Sequence, residues 1–274
     1  VPELPEVETV RRALERTIKG RSIESVAVFH PRMIQGDLEH FRNLVEGRRI
    51  ERLSRRGKYL LFILGEVAML SHLRMEGKYY LKPAGTPPEK HEHVVFTFTD
   101  GWALHYHDVR KFGTFEAVPM HSLEDVPALK KLGPEPAELD LRDDVTEIFR
   151  GERPIKAILL DQTRLAGIGN IYADEILHCA RIHPERPGRT LGVRLRRRVI
   201  DCAQRILAAA VQAGGSSVRS YRNTLGEDGR FERSLRVHTH EGKPCPDCQS
   251  TIRKAQISGR GTYYCPTCQR RKKG

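Results

Sequence analysis

Two cysteine pairs near the C-terminus, Cys245-Pro246-Asp247-Cys248 and Cys265-Pro266-Thr267-Cys268, offer four thiolates in two C-x-x-C knuckles. Each knuckle curls two sulfurs onto one metal, and the sixteen residues between the pairs can close as a hairpin, so the pattern predicts tetrahedral Zn²⁺ rather than two disulfides. Four protein ligands leave no position for a reactive water, which makes the metal structural. At the centre of the hairpin stands Ser258-Gly259-Arg260-Gly261-Thr262. Between Cys248 and Gly274 there are seven Lys or Arg and no Asp or Glu, and an arginine between two glycines can approach a polyanion closely. Cys179 and Cys202, each alone in an apolar helical pattern, read as inert packing residues.

The whole chain carries the same sign. Its 274 residues hold 47 Lys+Arg against 35 Asp+Glu, a formal net charge of +12, which favours nucleic acid as partner over an anionic membrane. No run of eighteen apolar residues exists and the N-terminal residues do not read as a signal peptide, so the expectation is a soluble, cytoplasmic protein.

The elements that must position these groups follow from periodicity. Val7, Val10, Leu14 and Ile18 predict a helix over 5–19, and Leu38, Phe41, Leu44 and Val45 a second over 37–46. Residues 22–29 and a succession of apolar, β-branched runs over 49–115 predict strands, with turns at Arg56-Gly57, Gly65-Glu66 and Asp100-Gly101. This is a β-sandwich or barrel flanked by two helices. After a Pro134/Pro136 linker the pattern becomes helical, over 154–162, 171–181 and 192–213. The fold class is thus α+β: a first domain over 2–118, a helical domain over 132–222 and a zinc hairpin over 236–270. Residues 214–231, rich in glycine, read as a mobile loop between helix and hairpin.

Five further segments resemble one family in order: Pro2-Glu3-Leu4-Pro5-Glu6-Val7-Glu8-Thr9; Arg55-Arg56-Gly57-Lys58-Tyr59; Ser71-His72-Leu73-Arg74-Met75-Glu76-Gly77; Asp108-Val109-Arg110-Lys111-Phe112-Gly113; and residues 162–175 (QTRLAGIGNIYADE). With the zinc hairpin they are similar to formamidopyrimidine-DNA glycosylases over essentially the whole chain. Leu4 resembles the oxidised-purine branch rather than the endonuclease VIII branch, which favours oxidised pyrimidines.

The resemblance implies a monomeric, bifunctional enzyme of the bacterial cytoplasm that excises 8-oxoguanine and formamidopyrimidines from duplex DNA and then nicks the strand. Its nucleophile would be the secondary amine of Pro2, an α-amino group whose ordinary pKa near 8 leaves a fraction neutral and reactive. Glu3 would serve as acid and base, and Lys58 would reach the phosphate or the damaged base. Met75, Arg110 and Phe112 match the residues that probe the duplex, and His91 matches a DNA-binding position. Lys156 and Asn170 match phosphate contacts of the helix-two-turn-helix element, with Asn170 expected to cap its second helix. Arg260 matches the arginine that grips the distorted backbone, and Ser217, Arg219 and Tyr221 match the loop that closes over the extruded base. Two other readings stay open: an oxidised-pyrimidine glycosylase, and a non-catalytic zinc-dependent binder of damaged DNA.

The sequence departs from the family in two places. It starts with Val1, which would make the Pro2 nitrogen an amide, and Val1 is read as the literal translation of an alternative start codon whose methionine is removed. His238-Thr239-His240-Glu241-Gly242 stands where the family has Tyr-Gly-Arg-x-Gly. Finally, a two-residue turn at Asp100-Gly101 would pair 93 with 108. His91 and His93 would then lie on the face opposite His105 and His107, as surface or structural residues rather than a second metal site.

Overall fold

The computed structural model describes residues 2–216 and 231–271. Its first helix, α1 (Leu4–Ile18), starts almost at the N-terminus because the chain supplies its own cap. Glu3 and Glu6 form a reciprocal capping box, with Glu6 Oε2 accepting the Glu3 N–H at 2.9 Å, and Pro5 lies in the first turn. Val7, Val10, Leu14 and Ile18 make its buried stripe. After β1 (Ile23–Val28) comes α2 (Leu38–Val45), capped by Asp37, whose carboxylate accepts the His40 N–H.

Seven strands complete the first unit: β2 (Arg52–Arg56), β3 (Tyr59–Ile63), β4 (Val67–His72), β5 (Lys78–Pro83), β6 (Glu92–Phe98), β7 (Trp102–His107) and β8 (Thr114–Pro119). They form two antiparallel sheets, β1-β6-β7-β5 and β2-β3-β4-β8, and so settle the sandwich-or-barrel question as a sandwich. One apolar cluster holds both sheets and both helices, with Leu14, Phe41, Phe62, Phe96, Tyr106 and Phe115 among its fully buried members.

The β6–β7 register corrects the expected one. Val95 pairs with His105 and Val94 with Tyr106, one residue away from the two-residue-turn register, and a shift between Glu92 and Val94 leaves His93 as an extra residue. The predicted separation of the histidines therefore fails: the His91 and His107 rings lie 5.8 Å apart, and Glu92 instead turns inward to bond His105 at 2.7 Å.

A short α3 (Pro127–Lys130) closes this unit. The second unit, from Lys131 to Ala213 and again from Phe231, contains α4 (Ile155–Leu160), α5 (Asn170–Ala180), α6 (Val193–Gln212) and the hairpin β9 (Arg253–Ile257) and β10 (Arg260–Tyr264). Its core gathers Phe149, Ile158, Tyr172, Ile176, Val199 and Leu207. Cys179 and Cys202, expected to be inert packing residues, form a disulfide that staples α5 to α6 across a Cα separation of 6.0 Å. No helix among the described residues is long and apolar enough to cross a membrane.

Candidate active site and metal centre

The N-terminal residues are set by α1. Glu3 is its N-cap and is only 2% exposed, and Pro2 is buried beside it. Glu6 organises this corner: one carboxylate oxygen holds the Glu3 N–H, and the other accepts the Ser216 N–H at 2.7 Å and the Ser216 hydroxyl at 3.0 Å. Ser216 immediately precedes Ser217, Arg219 and Tyr221, which lie outside the described residues. Sequence reasoning missed Glu6; the signal was its position three residues after Glu3, where a capping-box partner belongs.

Lys58 sits in a two-residue turn between β2 and β3, where Arg56 pairs with Tyr59 and Gly57 takes φ +56°, a first-position conformation that suits glycine. Arg55 fastens this turn by donating to the Gly57 carbonyl at 2.8 Å and reaching Glu8 of α1 at 3.4 Å. Burial pushes the Glu8 carboxyl up, but Arg11, Arg12 and Arg55 outweigh it and hold Glu8 below the ordinary range.

His72, at the end of β4, is a second residue that sequence reasoning left without a role. Burial, helped by the Arg74 and Lys58 cations, pushes its pKa down to about 3. Its Nδ1 accepts the Arg74 N–H at 2.9 Å, so the neutral ring carries its proton on Nε2 and stays a donor at physiological pH. The linkage has a definite sign. The unfolded chain takes a proton on His72 below its ordinary pKa of about 6.5 and the native state does not, so stability is present above that pH and is lost as pH falls toward about 3. Chemical melts between pH 8 and 5 are expected to show His72→Gln losing stability less steeply below pH 6.5 than the parent, by up to one proton. Equal slopes would place the His72 pKa near its ordinary value.

Met75, Arg110 and Phe112 are brought together. The Arg110 guanidinium lies 2.7 Å from Met75 Sδ and 4.8 Å from the Phe112 ring centroid, and Met75 and Phe112 are 38% and 50% exposed. Large apolar side chains held on turns in solvent, rather than in a core, suit contact with another molecule. His91 adopts φ +77°, as unusual for a non-glycine residue as Arg74 at +52° and Lys111 at +57° in the neighbouring turns.

In the second unit α4 and α5 are joined by a turn pinned by Gln162, whose amide bonds the Leu160 and Ile168 carbonyls and the Gly167 N–H. Asn170 does not cap α5: Gly169 is the N-cap, and the Asn170 amide donates to the Gly261 carbonyl of the hairpin at 3.0 Å. Lys156 has no exposed surface. Its ammonium is paired with Asp174, which also accepts from His238 Nδ1 at 2.7 Å and the Tyr263 N–H at 3.2 Å. Lys156 is thus an internal brace of the helix pair in this structure, not an exposed cation. Glu175 accepts the N–H groups of Arg236, Val237 and His238, so two adjacent carboxylates of α5 dock the segment leading into the hairpin. His238, despite its departure from the family pattern, is therefore integral to that docking.

The four thiols Cys245, Cys248, Cys265 and Cys268 lie within 4.8 Å of one another, with Sγ pairs at 3.9 Å and 3.4 Å. A tetrahedron with Zn–S bonds of about 2.3 Å has sulfur separations of about 3.8 Å, so the set fits one structural Zn²⁺. Arg260 opens β10 directly after Ser258 and Gly259, whose φ values of +51° and +73° make the tight turn and leave the arginine exposed. Gly259 serves that turn, and Gly261 offers its carbonyl to Asn170.

A β-sandwich unit, a helix-two-turn-helix unit and a four-cysteine zinc hairpin, in that order, make up the class of DNA-glycosylase scaffold that this chain matches. The family models for the formamidopyrimidine-DNA glycosylase N-terminal domain, the formamidopyrimidine-DNA glycosylase H2TH domain and a zinc finger found in FPG and IleRS match residues 1–115, 132–222 and 242–271. Formamidopyrimidine-DNA glycosylases of Streptococcus pneumoniae and Exiguobacterium sibiricum are each 47% identical, covering 99% and 98% of this chain and 100% and 99% of their own. Lactococcus lactis Fpg, solved in complex with an abasic-site-containing DNA and with an N7-benzyl-Fapy-dG-containing DNA, superposes with a TM-score of 0.92 at 42% identity, over 98% of this chain and 100% of its own. The chain belongs to the formamidopyrimidine-DNA glycosylase family.

Proposed function

We propose that this protein is a bifunctional DNA glycosylase and abasic-site lyase that removes oxidised purines, 8-oxoguanine and formamidopyrimidines, from duplex DNA. The observation that carries the reading is the Pro2-Glu3 pair, buried at the start of α1 and held there through Glu6. The neutral Pro2 amine attacks C1′ of the damaged nucleotide; the N–C1′ bond forms as the glycosidic bond breaks and the base departs with a proton. Glu3 protonates the sugar ring oxygen as the ring opens and relays protons afterwards. The resulting iminium acidifies C2′–H, whose removal expels the 3′ phosphate; the unsaturated iminium so formed acidifies C4′–H in turn, and loss of that second proton expels the 5′ phosphate. The net charge of +12 and the exposed Arg260 support a polyanionic duplex as substrate.

Trapping with borohydride tests this reading. A covalent protein–DNA adduct is expected with 8-oxoguanine opposite cytosine and none with undamaged duplex. Trapping with oxidised pyrimidines but not oxidised purines would assign the chain to the other branch of substrates.

A further inference from the structure

We propose that Asp108 is a positioning residue that preassembles the duplex-probing side chains before DNA arrives; the proposal rests on the function proposed above. Asp108 is fully buried, yet it lies in the turn between β7 and β8 that presents Arg110 and Phe112 to solvent. Its carboxylate closes that turn from inside: Oδ1 accepts the Arg110 N–H at 3.0 Å, and Oδ2 accepts the N–H groups of Phe112 at 3.0 Å and Gly113 at 2.8 Å. A single side chain thereby satisfies three backbone donors of the turn, and the Asp108 carbonyl takes the fourth, the Lys111 N–H at 3.3 Å, where an Asx turn serves one. The backbone of Asp108 extends the frame sideways. Its N–H donates to the His91 carbonyl at 2.9 Å, beside the positive φ of His91, and its carbonyl bonds His93 Nε2 at 3.1 Å.

The turn also has a floor. Cβ atoms built at Gly77 and Gly113 would fall 2.2 Å and 1.8 Å from the Tyr106 hydroxyl, so the Met75 turn and the Phe112 turn both seat on that one buried ring. Glycine is required at both seats. With seat and carboxylate in place, the Arg110 guanidinium rests between Met75 and Phe112, and the three side chains present one apolar-cationic wedge. A wedge ordered in advance loses little conformational freedom on entering the base stack, where it must offset an extrusion cost of a few kcal/mol.

Asp108→Asn keeps the shape but replaces one acceptor oxygen by a donor, so at least one of the three N–H bonds is lost. In the zinc-loaded full-length protein, kcat/KM for 8-oxoguanine excision is expected to fall about tenfold or more relative to cleavage of a preformed abasic site, where no damaged base is drawn from the stack. The fluorescence rise of 2-aminopurine placed next to the lesion, which reports wedge insertion, is expected to slow in parallel. Asp108→Ser, which can still accept the Arg110 N–H, should show the same ordering with a smaller loss. Equal losses on both substrates, or none, would overturn the proposal. Hydrogen exchange on the wild-type protein without DNA gives a reading independent of any variant: slow exchange at Phe112 and Gly113 is expected, and exchange at loop rates would contradict a preassembled wedge. A wild-type protein inactive on both substrates would instead defeat the functional reading beneath it.

Discussion

Glu3→Gln is expected to bind oxidised duplex as the parent does and to lose base excision by about 10²- to 10⁴-fold, the usual contribution of a positioned acid/base group. The argument depends on what glutamine retains. Its amide oxygen can still face the α1 N-terminus in the capping box, and the Glu6 carboxylate still holds the residue 3 N–H, so the helix start should survive. What disappears is the ability of the residue that follows Pro2 to give and take a proton. Single-turnover excision and equilibrium binding, measured on one duplex, separate the two effects. A loss under about tenfold would remove Glu3 from the chemical step.

Removing the metal should produce the second large effect, and through geometry alone. The zinc hairpin is a two-stranded sheet whose own buried cluster consists of Val237, Ile252, Cys245 and Cys265 with a few partly buried neighbours. So small a core does not hold a hairpin in water without a staple. Cys248→Ser, or complete chelation, should release the turn that presents Arg260 and free Gly261 from Asn170. Losing the charge-assisted contact expected of Arg260, about 1.5–3 kcal/mol, lowers duplex affinity at least tenfold. The sandwich unit has its own core and should keep its melting transition. Full affinity in metal-free protein would show that the hairpin does not contribute to binding.

Much of this was legible from local pattern. The stripe Val7, Val10, Leu14 and Ile18 and the glycine at the Lys58 turn carry their structure in a few residues, as do the two cysteine knuckles. Features settled over longer distances were not. The β6–β7 register departs from a two-residue turn already at Thr97–Ala103, beside the turn, and slips by one more residue at His93, and neither step is written in the Asp100-Gly101 pair alone. Cys179 and Cys202 stand 23 residues apart on different helices, and only the packing of α5 on α6 brings them into bonding range. The same reason hid Lys156: its partner Asp174 lies on the neighbouring helix, and without that carboxylate a lysine reads as a surface cation. Asn170 looked like a cap because asparagine favours such positions, yet a hairpin carbonyl from far along the chain competes for its amide.

The central claim is that catalysis runs through a secondary amine at the N-terminus, and the position of a trapped adduct tests it most directly. After borohydride reduction of the complex with 8-oxoguanine duplex, proteolysis and peptide mapping should place the sugar on the nitrogen of Pro2, in molecules whose first residue is Pro2. A sugar attached to Lys58 or another lysine, or full activity in molecules that retain Val1, would contradict it.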